Sequence, residues 1–416
     1  MEFLKYCNLV FAALFFLCCC TQIIYIPVSL FCRKKKRPAP PVSSASPASL
    51  HRFAVLICAR NEEAVISDLL RTVKKQDYPG TVIPFVLADN CTDHTASAAR
   101  EAGAVVYTRT DSERIGKGYA LDALLSHIRT DYPEGFDGYF VFDADNLLSP
   151  SFVSETDRVF SAGHDIVTGL RCSKNPTDNW VSAGYTLHFL RGCRFLNEPR
   201  DVLGVSATVN GTGFFFSRRI AGTMNGWRYF LLTEDTQFSA DMILRGEKIA
   251  YCPDAVFYDE QPVSFRQSWR QRLRWAKGFL QVFGRYGASL FTGALRGSFS
   301  CFDMLTAACP VFVISALSLL TNIVTVLVGL FSGIGLLPSL LSFGKLLLSM
   351  YLAAFAVGAL VLFTEWNHIA GKPTRKLLMP FSYPLFMFTF LPITVQALFC
   401  RVEWKPIEHT GRKTET

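Results

Sequence analysis

The chain has 416 residues with 42 basic and 34 acidic side chains, so only 18% are charged, while half are hydrophobic and Phe alone occurs 36 times. That balance excludes a disordered chain and argues against a wholly soluble one, because soluble domains carry roughly 25% charge. The deficit sits in four uncharged stretches, 6–32, 304–331, 346–363 and 377–400; about 24% of the residues outside them are charged, as in an ordinary globular domain.

Each stretch is long enough to be a candidate for crossing a hydrocarbon core. The first (6–32) reads as a retained anchor rather than a cleaved signal: its apolar run is long, and its basic cluster RKKKR (33–37) follows it. Lys and Arg remain on the cytoplasmic side, which places the chain after residue 37 in the cytoplasm of an integral membrane protein, with the plasma membrane as the expected location. Residues 33–50 form a basic and Pro/Ser-rich linker. Globular composition follows over 51–260, a basic amphipathic stretch over 261–302, about three C-terminal membrane helices over 303–400 and a tail over 401–416. The tail's four basic residues favour the cytoplasm, whereas four spans place it outside. The 13 cysteines include no C-x-x-C pair, and the seven histidines show no zinc spacing.

Within the globular part, apolar strand-like runs at 53–58, 82–87, 104–107 and 139–142 alternate with helical patterns at 64–75, 95–102 and 118–128. Such alternation predicts a mostly parallel α/β sheet that binds its ligand beyond the carboxyl ends of the strands. The residues there are acidic: ARNE at 59–62, DNCTD at 89–93 and DAD at 143–145. Asp143 and Asp145, two apart, share a strand face, and a hard divalent cation between them relieves their repulsion. A solvated loop or helix cap is the plainer reading of the same spacing. Gly211 and Gly213 let backbone approach a ligand, or mark a bulge. Glu234 and Asp235 stand in the first turn of a helix that Thr233 can cap.

Residues 261–302 contain no carboxylate but seven basic side chains, interleaved with Phe265, Trp269, Trp275, Phe279 and Phe283. The pattern suits a helix lying on anionic headgroups, and some of its arginines can serve a diphosphate. No nucleic-acid module accompanies it.

Taken in order, ARNE (59–62), ADNCTD (88–93), GKGYAL (116–121), DAD (143–145), TED (233–235) and QRLRW (271–275) resemble the motifs of the membrane-integrated family 2 glycosyltransferases, which include the cellulose, chitin, hyaluronan and poly-N-acetylglucosamine synthases. The resemblance covers roughly residues 51–283 and the flanking membrane segments. It implies a GT-A nucleotide-sugar-binding domain, a UDP-sugar donor (UDP-glucose or UDP-N-acetylglucosamine class), Mg²⁺ or Mn²⁺, and transfer with inversion. In that pattern Ala59, Arg60, Glu62 and Asp89 meet the nucleoside, and Lys117 belongs to the donor site. Asp143 and Asp145 serve UDP and the metal; Asp235 is the general base, with Glu234 beside it. Gln271, Arg272, Arg274 and Trp275 line the diphosphate and the acceptor entrance. The expected product is a growing β-linked polysaccharide, with an accessory export subunit or a homo-oligomer as possible partners. QRLRW does not settle this, because enzymes that glycosylate a single membrane lipid, such as the ceramide glucosyltransferases, carry a similar motif. A transporter or a nucleotide-sugar sensor explains the helices but leaves the acidic strand ends without a task.

Overall fold

The computed structural model describes residues 2–32, 50–309, 311–331 and 336–403. The basic cluster, almost all of the linker and residues 404–416 of the tail lie outside the described residues. The first apolar stretch is one helix, α1 (Glu2–Phe31). After the linker come β1 (Arg52–Ala59), α2 (Ile66–Lys74), β2 (Thr81–Asp89), α3 (Thr95–Glu101), β3 (Val105–Arg109), α4 (Lys117–Asp131) and β4 (Gly138–Asp143), the expected alternation. The chain continues through β5 (Leu147–Leu148), α5 (Phe152–Ser161), β6 (Ile166–Ser173), α6 (Trp180–Gly192), a π-helical turn (Cys193–Asn197) and α7 (Glu198–Val202). Then follow β7 (Phe214–Ser217), α8 (Arg218–Met224), α9 (Glu234–Leu244) and β8 (Ile249–Asp259).

The strands form one sheet in the order β3-β2-β1-β4-β7-β6-β8-β5. Pairings within β3-β2-β1-β4 and between β6 and β8 are parallel, whereas β7 runs antiparallel to both β4 and β6. Near-continuous apolar strands need cover on both faces. Phe53, Val55 and Ile57 accordingly pack with Ile66, Leu69 and Phe152, while Ala54 and Leu56 pack on the other face with Leu121, Leu124 and Trp227. This second core continues into Met379, Tyr383 and Phe386, so the sheet domain and the C-terminal helices share buried surface.

The basic stretch forms one long helix, α10 (Phe265–Leu295), followed by α11 (Phe299–Ala308), α12 (Val311–Phe331), α13 (Leu336–Thr364), α14 (Pro373–Phe388) and α15 (Phe390–Phe399). Among the described residues, four segments are long and apolar enough to cross a membrane: Glu2–Phe31, Val311–Gly329, Phe343–Thr364 and Pro373–Phe399. The last is broken at Thr389. Pro392 has no N–H for the Phe388 carbonyl, which accounts for the break.

Gly213 acts on this level rather than as a ligand contact. Its φ is +67°, and its amide and carbonyl bond Val141 O at 2.9 Å and Gly169 N–H at 3.0 Å, joining β4 to β6 just before β7. An added Cβ would fall well inside contact distance of the Phe257 ring. Gly213→Ala is therefore expected to cost about 3 kcal/mol from backbone strain and overpacking, read as a lowered midpoint of thermal inactivation in detergent.

Candidate active site

Two asparagines turn the chain at the ends of the first two strands. Asn61 and Asn90 have φ of 57° and 53°, a left-handed conformation that Asn tolerates better than most residues. Asn61 Oδ1 accepts from Thr92 N–H at 2.8 Å and Asn90 Oδ1 from Asp111 N–H at 2.9 Å, tying the two turns to their neighbours. Ala59, Arg60, Glu62 and Asp89 thereby line one cleft at the carboxyl edge of the sheet. Arg109 donates to Asp89 at 2.7 Å; burial nevertheless holds the Asp89 carboxyl above its ordinary range.

Lys117 opens α4 and reaches across the cleft. Its ammonium pairs with the Asp143 carboxylate and donates to Gly211 O at 2.7 Å. Burial disfavours both charges, yet the pairing prevails: Asp143 titrates lower than an ordinary Asp, and Lys117 higher than an ordinary Lys, with Glu234 adding to the effect on Lys117. Asp145 is buried; its carboxylate accepts from Glu260 N–H at 2.9 Å and Asn146 Nδ2 at 3.1 Å.

Glu234 and Asp235 begin α9 on the opposite wall. Burial first, then the neighbouring Asp235 carboxylate, push Glu234 up to about 7 against the pull of Lys117 and Arg274; burial also raises Asp235. A Cβ at Gly211, whose φ is +79°, would lie at ordinary contact distance, 3.8 Å, from Asp235 Oδ2, so the Gly211 backbone stands beside that carboxylate. On α10, Gly278 allows the helix to pack directly on Thr233, where a Cβ would meet Thr233 Oγ1 at 2.6 Å. This contact sets Gln271, Arg274 and Trp275 into the same cleft.

Arg272 is elsewhere, which corrects its expected place beside the diphosphate. It lies one residue, about 100° around the helix, from Gln271. There it is fully buried against α14 and α15, donating to Phe386 O at 3.0 Å and Thr389 Oγ1 at 2.6 Å. Its guanidinium carbon is 4.3 Å from the Phe386 ring centroid and 4.9 Å from that of Phe390.

The cleft also holds residues that the sequence reading passed over. Arg171 of β6 pairs with Asp259 at the end of β8, donates to Asn210 O at 2.8 Å and stacks over Phe189 at 3.7 Å. Asp259 follows the same signal as the other acids, a carboxylate ending an apolar strand, and Arg171 is the one charge inside β6. His188 of α6 lines the floor beside Phe189 and is pushed down to about 3 by burial and by Arg191, Arg272 and Arg171, so it is neutral at physiological pH. Nothing in the sequence of α6 distinguishes it from a core histidine.

The donor set at the end of β4 suits a hard divalent cation: Asp143 and Asp145 offer carboxylate oxygens, the ligand type of Mg²⁺ and Mn²⁺. Lys117 already engages Asp143, so these two residues would hold an ion in competition with that ammonium. The cleft thus combines a carboxylate pair able to take a proton with Lys117 and Arg274, able to stabilise a departing anion.

Comparison with known proteins agrees with this arrangement. The family model described as "Glycosyltransferase like family 2" matches residues 51–278. The β-monoglucosyldiacylglycerol synthase of Nostoc sp. is 26% identical over 267 residues, which are 62% of this chain and 55% of that protein. The poly-β-1,6-N-acetyl-D-glucosamine synthase of Staphylococcus aureus is 26% identical over 242 residues, 56% of each chain. The matched part thus spans little more than half the length of these relatives. Among solved structures, the mannosyltransferase of Pyrobaculum calidifontis in complex with GDP-Man and Mn²⁺ superposes with a TM-score of 0.60 at 19% identity, covering 95% of this chain and 99% of that one. That likeness concerns the fold, and it agrees with the expected GT-A sheet domain joined to apolar helices.

Proposed function

The chain belongs to the family 2-like glycosyltransferases, and from that premise we propose that it moves a hexose from a UDP-sugar, with inversion, to an acceptor held at the membrane. The observation that carries this reading is the convergence, in one cleft above α10, of Glu234 and Asp235 with Lys117 and Arg274. Asp235 takes the proton of the acceptor hydroxyl as its oxygen attacks the anomeric carbon. Arg274 and Lys117 face the charge that develops on the leaving UDP, in a site where they need little reorganisation. Attack from the face opposite UDP turns an α-linked donor into a β-linked product. A Mg²⁺ or Mn²⁺ at Asp143 and Asp145 supplies further charge neutralisation to the diphosphate when bound.

Of the two acceptors left open by the motifs, the membrane lipid is favoured by the floor of the cleft. Tyr185 and Phe189 pack against Trp275 with ring centroids at 5.7 and 5.8 Å, and Phe386 closes on Tyr185 at 5.0 Å. These buried rings join Trp275 to α14, part of a candidate membrane span, so the cleft abuts apolar helix. The Nostoc relative, named for a monoglucosyl lipid, is in keeping with this choice. The polysaccharide reading is second, supported by the poly-β-1,6-N-acetyl-D-glucosamine synthase match. A cytoplasmic catalytic domain at the plasma membrane completes the proposal, supported by the basic cluster after α1.

A UDP-release panel over common UDP-sugars with Mg²⁺, Mn²⁺ or EDTA tests the reaction. Release with at least one donor is expected, followed by linkage analysis of a β-linked product; no release with any donor would refute it. The raised carboxylates carry a pH signature. A base works only when deprotonated, so kcat is expected to fall as pH drops through the folded-state value of Asp235, which burial holds above the ordinary Asp range. Glu234→Gln removes the like charge and is expected to move that limb to lower pH. A limb at or below the ordinary Asp range in both proteins would contradict the assignment.

A further inference from the structure

A second cavity, of about 280 Å³, opens at the edge of the sheet opposite the cleft. Tyr139 at the start of β4 lines it, whereas Asp143 at the end of the same strand lines the cleft. Arg129 in the last turns of α4 and Arg218 at the head of α8 form its two sides.

The charge of this cavity is one-sided. Neither Arg129 nor Arg218 makes an ion pair or a side-chain hydrogen bond among the described residues. Their neighbours are matched: Arg219, the next residue, pairs with Asp165 and Glu247, and Arg52 pairs with Glu134. Asp122 and Asp137 stand close by but are engaged, accepting from Trp227 N–H at 3.0 Å and Arg52 N–H at 2.7 Å. A Cβ at Gly135 would stand 3.4 Å from the Arg218 guanidinium, and one at Gly226 would stand 3.7 Å from Arg129 Nη2. Both glycines line the cavity, so both guanidiniums lie along its wall. Burial lifts the Tyr139 phenol above its ordinary range, and Arg218 and Arg129 both act against that shift, in keeping with two cations gathered about one ring.

Two planar guanidinium forks facing one hollow match the oxygens of a phosphate group. Leu125, Ile128 and Met224 add apolar wall for a short organic body. The volume lies just under the range of about 300–1,000 Å³ usual for drug-sized ligands, which suits a small metabolite.

The cavity also shares two elements with the cleft. α4 carries Arg129 at one end and Lys117 at the other, about 18 Å away along the helix. The segment 225–233 leaves the cavity at Asn225 and Gly226 and enters the cleft at Leu232 and Thr233, directly before Glu234 and Asp235. The two elements are fastened together: Asp122 holds the Trp227 amide, and Tyr119 stacks on Phe230 with ring centroids at 4.5 Å.

We propose that this cavity is a regulatory site for a small phosphate monoester, whose phosphate bridges Arg129 and Arg218 and thereby tightens donor binding in the cleft. The bridge replaces repulsion between two like charges by attraction to a shared anion, and it holds α4 against α8. Binding in the cavity stands independently of the transferase reading; the coupling rests on UDP occupying the cleft.

The test uses the full chain in detergent micelles, with inorganic phosphate, glucose 6-phosphate and AMP as radiolabelled probes in equilibrium dialysis while saturating UDP fills the cleft. At least one probe is expected to bind once per chain with a Kd below about 1 mM. Arg129→Gln and Arg218→Gln are each expected to weaken it about 10- to 100-fold, the contribution of a charge-assisted hydrogen bond. Both side chains are exposed, so neither change disturbs a packed core. Asp235→Asn, in the cleft, is expected to leave probe binding within twofold. Equal binding by wild type, R129Q and R218Q, or no binding by any of the three probes up to about 10 mM, overturns the site.

Linkage is reciprocal, so a bound probe is expected to lower the Kd for UDP about fivefold in the wild type and to leave it unchanged in R129Q. A Kd for UDP that a bound probe does not change overturns the regulatory role. Failure of UDP itself to bind, with or without a probe, counts instead against the donor reading of the cleft.

Discussion

Asp235→Asn is expected to lower kcat about 10³-fold, the middle of the range for loss of a positioned general base, while leaving the affinity for UDP within twofold. The change is nearly isosteric and removes only the proton-accepting capacity, so the first turn of α9 and its contact with Gly211 keep their shape. The comparison with Glu234→Gln decides between two adjacent carboxylates. Both are held above their ordinary range by burial, and each opposes ionisation of the other. Asp235 is the one beside the bare backbone of Gly211, where an acceptor oxygen can come close. If D235N turns over at more than a tenth of the wild-type rate while E234Q does not, the roles are exchanged. Single-turnover measurements with saturating donor separate this chemical step from product release.

Lys117→Met is expected to cost about 1–2 kcal/mol, less than for a fully buried pair because the Asp143 side chain stays 40% exposed and screened by solvent. The ammonium is the cation on Asp143, and Glu234 adds to the field that keeps it protonated. Without it Asp143 loses its counter-charge and titrates upward, toward or above the ordinary Asp value, instead of below it. The loss should appear as a lower midpoint of thermal inactivation and a much weaker KM for the UDP-sugar. Because Asp143 and Asp145 suit a divalent ion, millimolar Mg²⁺ or Mn²⁺ is expected to restore part of the midpoint in K117M and to change the wild type less. A variant as stable as the wild type without metal would mean that Asp143 finds its counter-charge elsewhere.

Much of this architecture was legible in the residues. Apolar runs of five or six residues ended by acids marked β1, β2 and β4, because a strand buried on both faces can change to polar side chains only where it leaves the sheet. The four uncharged stretches marked the long apolar helices, since charge is what such helices exclude. Other features did not announce themselves. β7 inserts antiparallel between β4 and β6, a placement set by packing of Phe214, Phe215 and Phe216 against both faces rather than by any local pattern. Gly213 and Gly211 look alike in the sequence, yet one meets the Phe257 ring and the other Asp235.

The basic helix shows the limit most clearly. Its composition alone determined that a positive, aromatic segment stands between the acidic strand ends and the membrane helices. Which arginine faces which way was decided only by the docking of Gly278 on Thr233, which fixes the rotation of α10. Arg274 then enters the cleft, and Arg272 goes to Phe386 and Phe390. A sequence carries helical phase but not its origin; that origin is chosen by contacts between residues far apart in the chain.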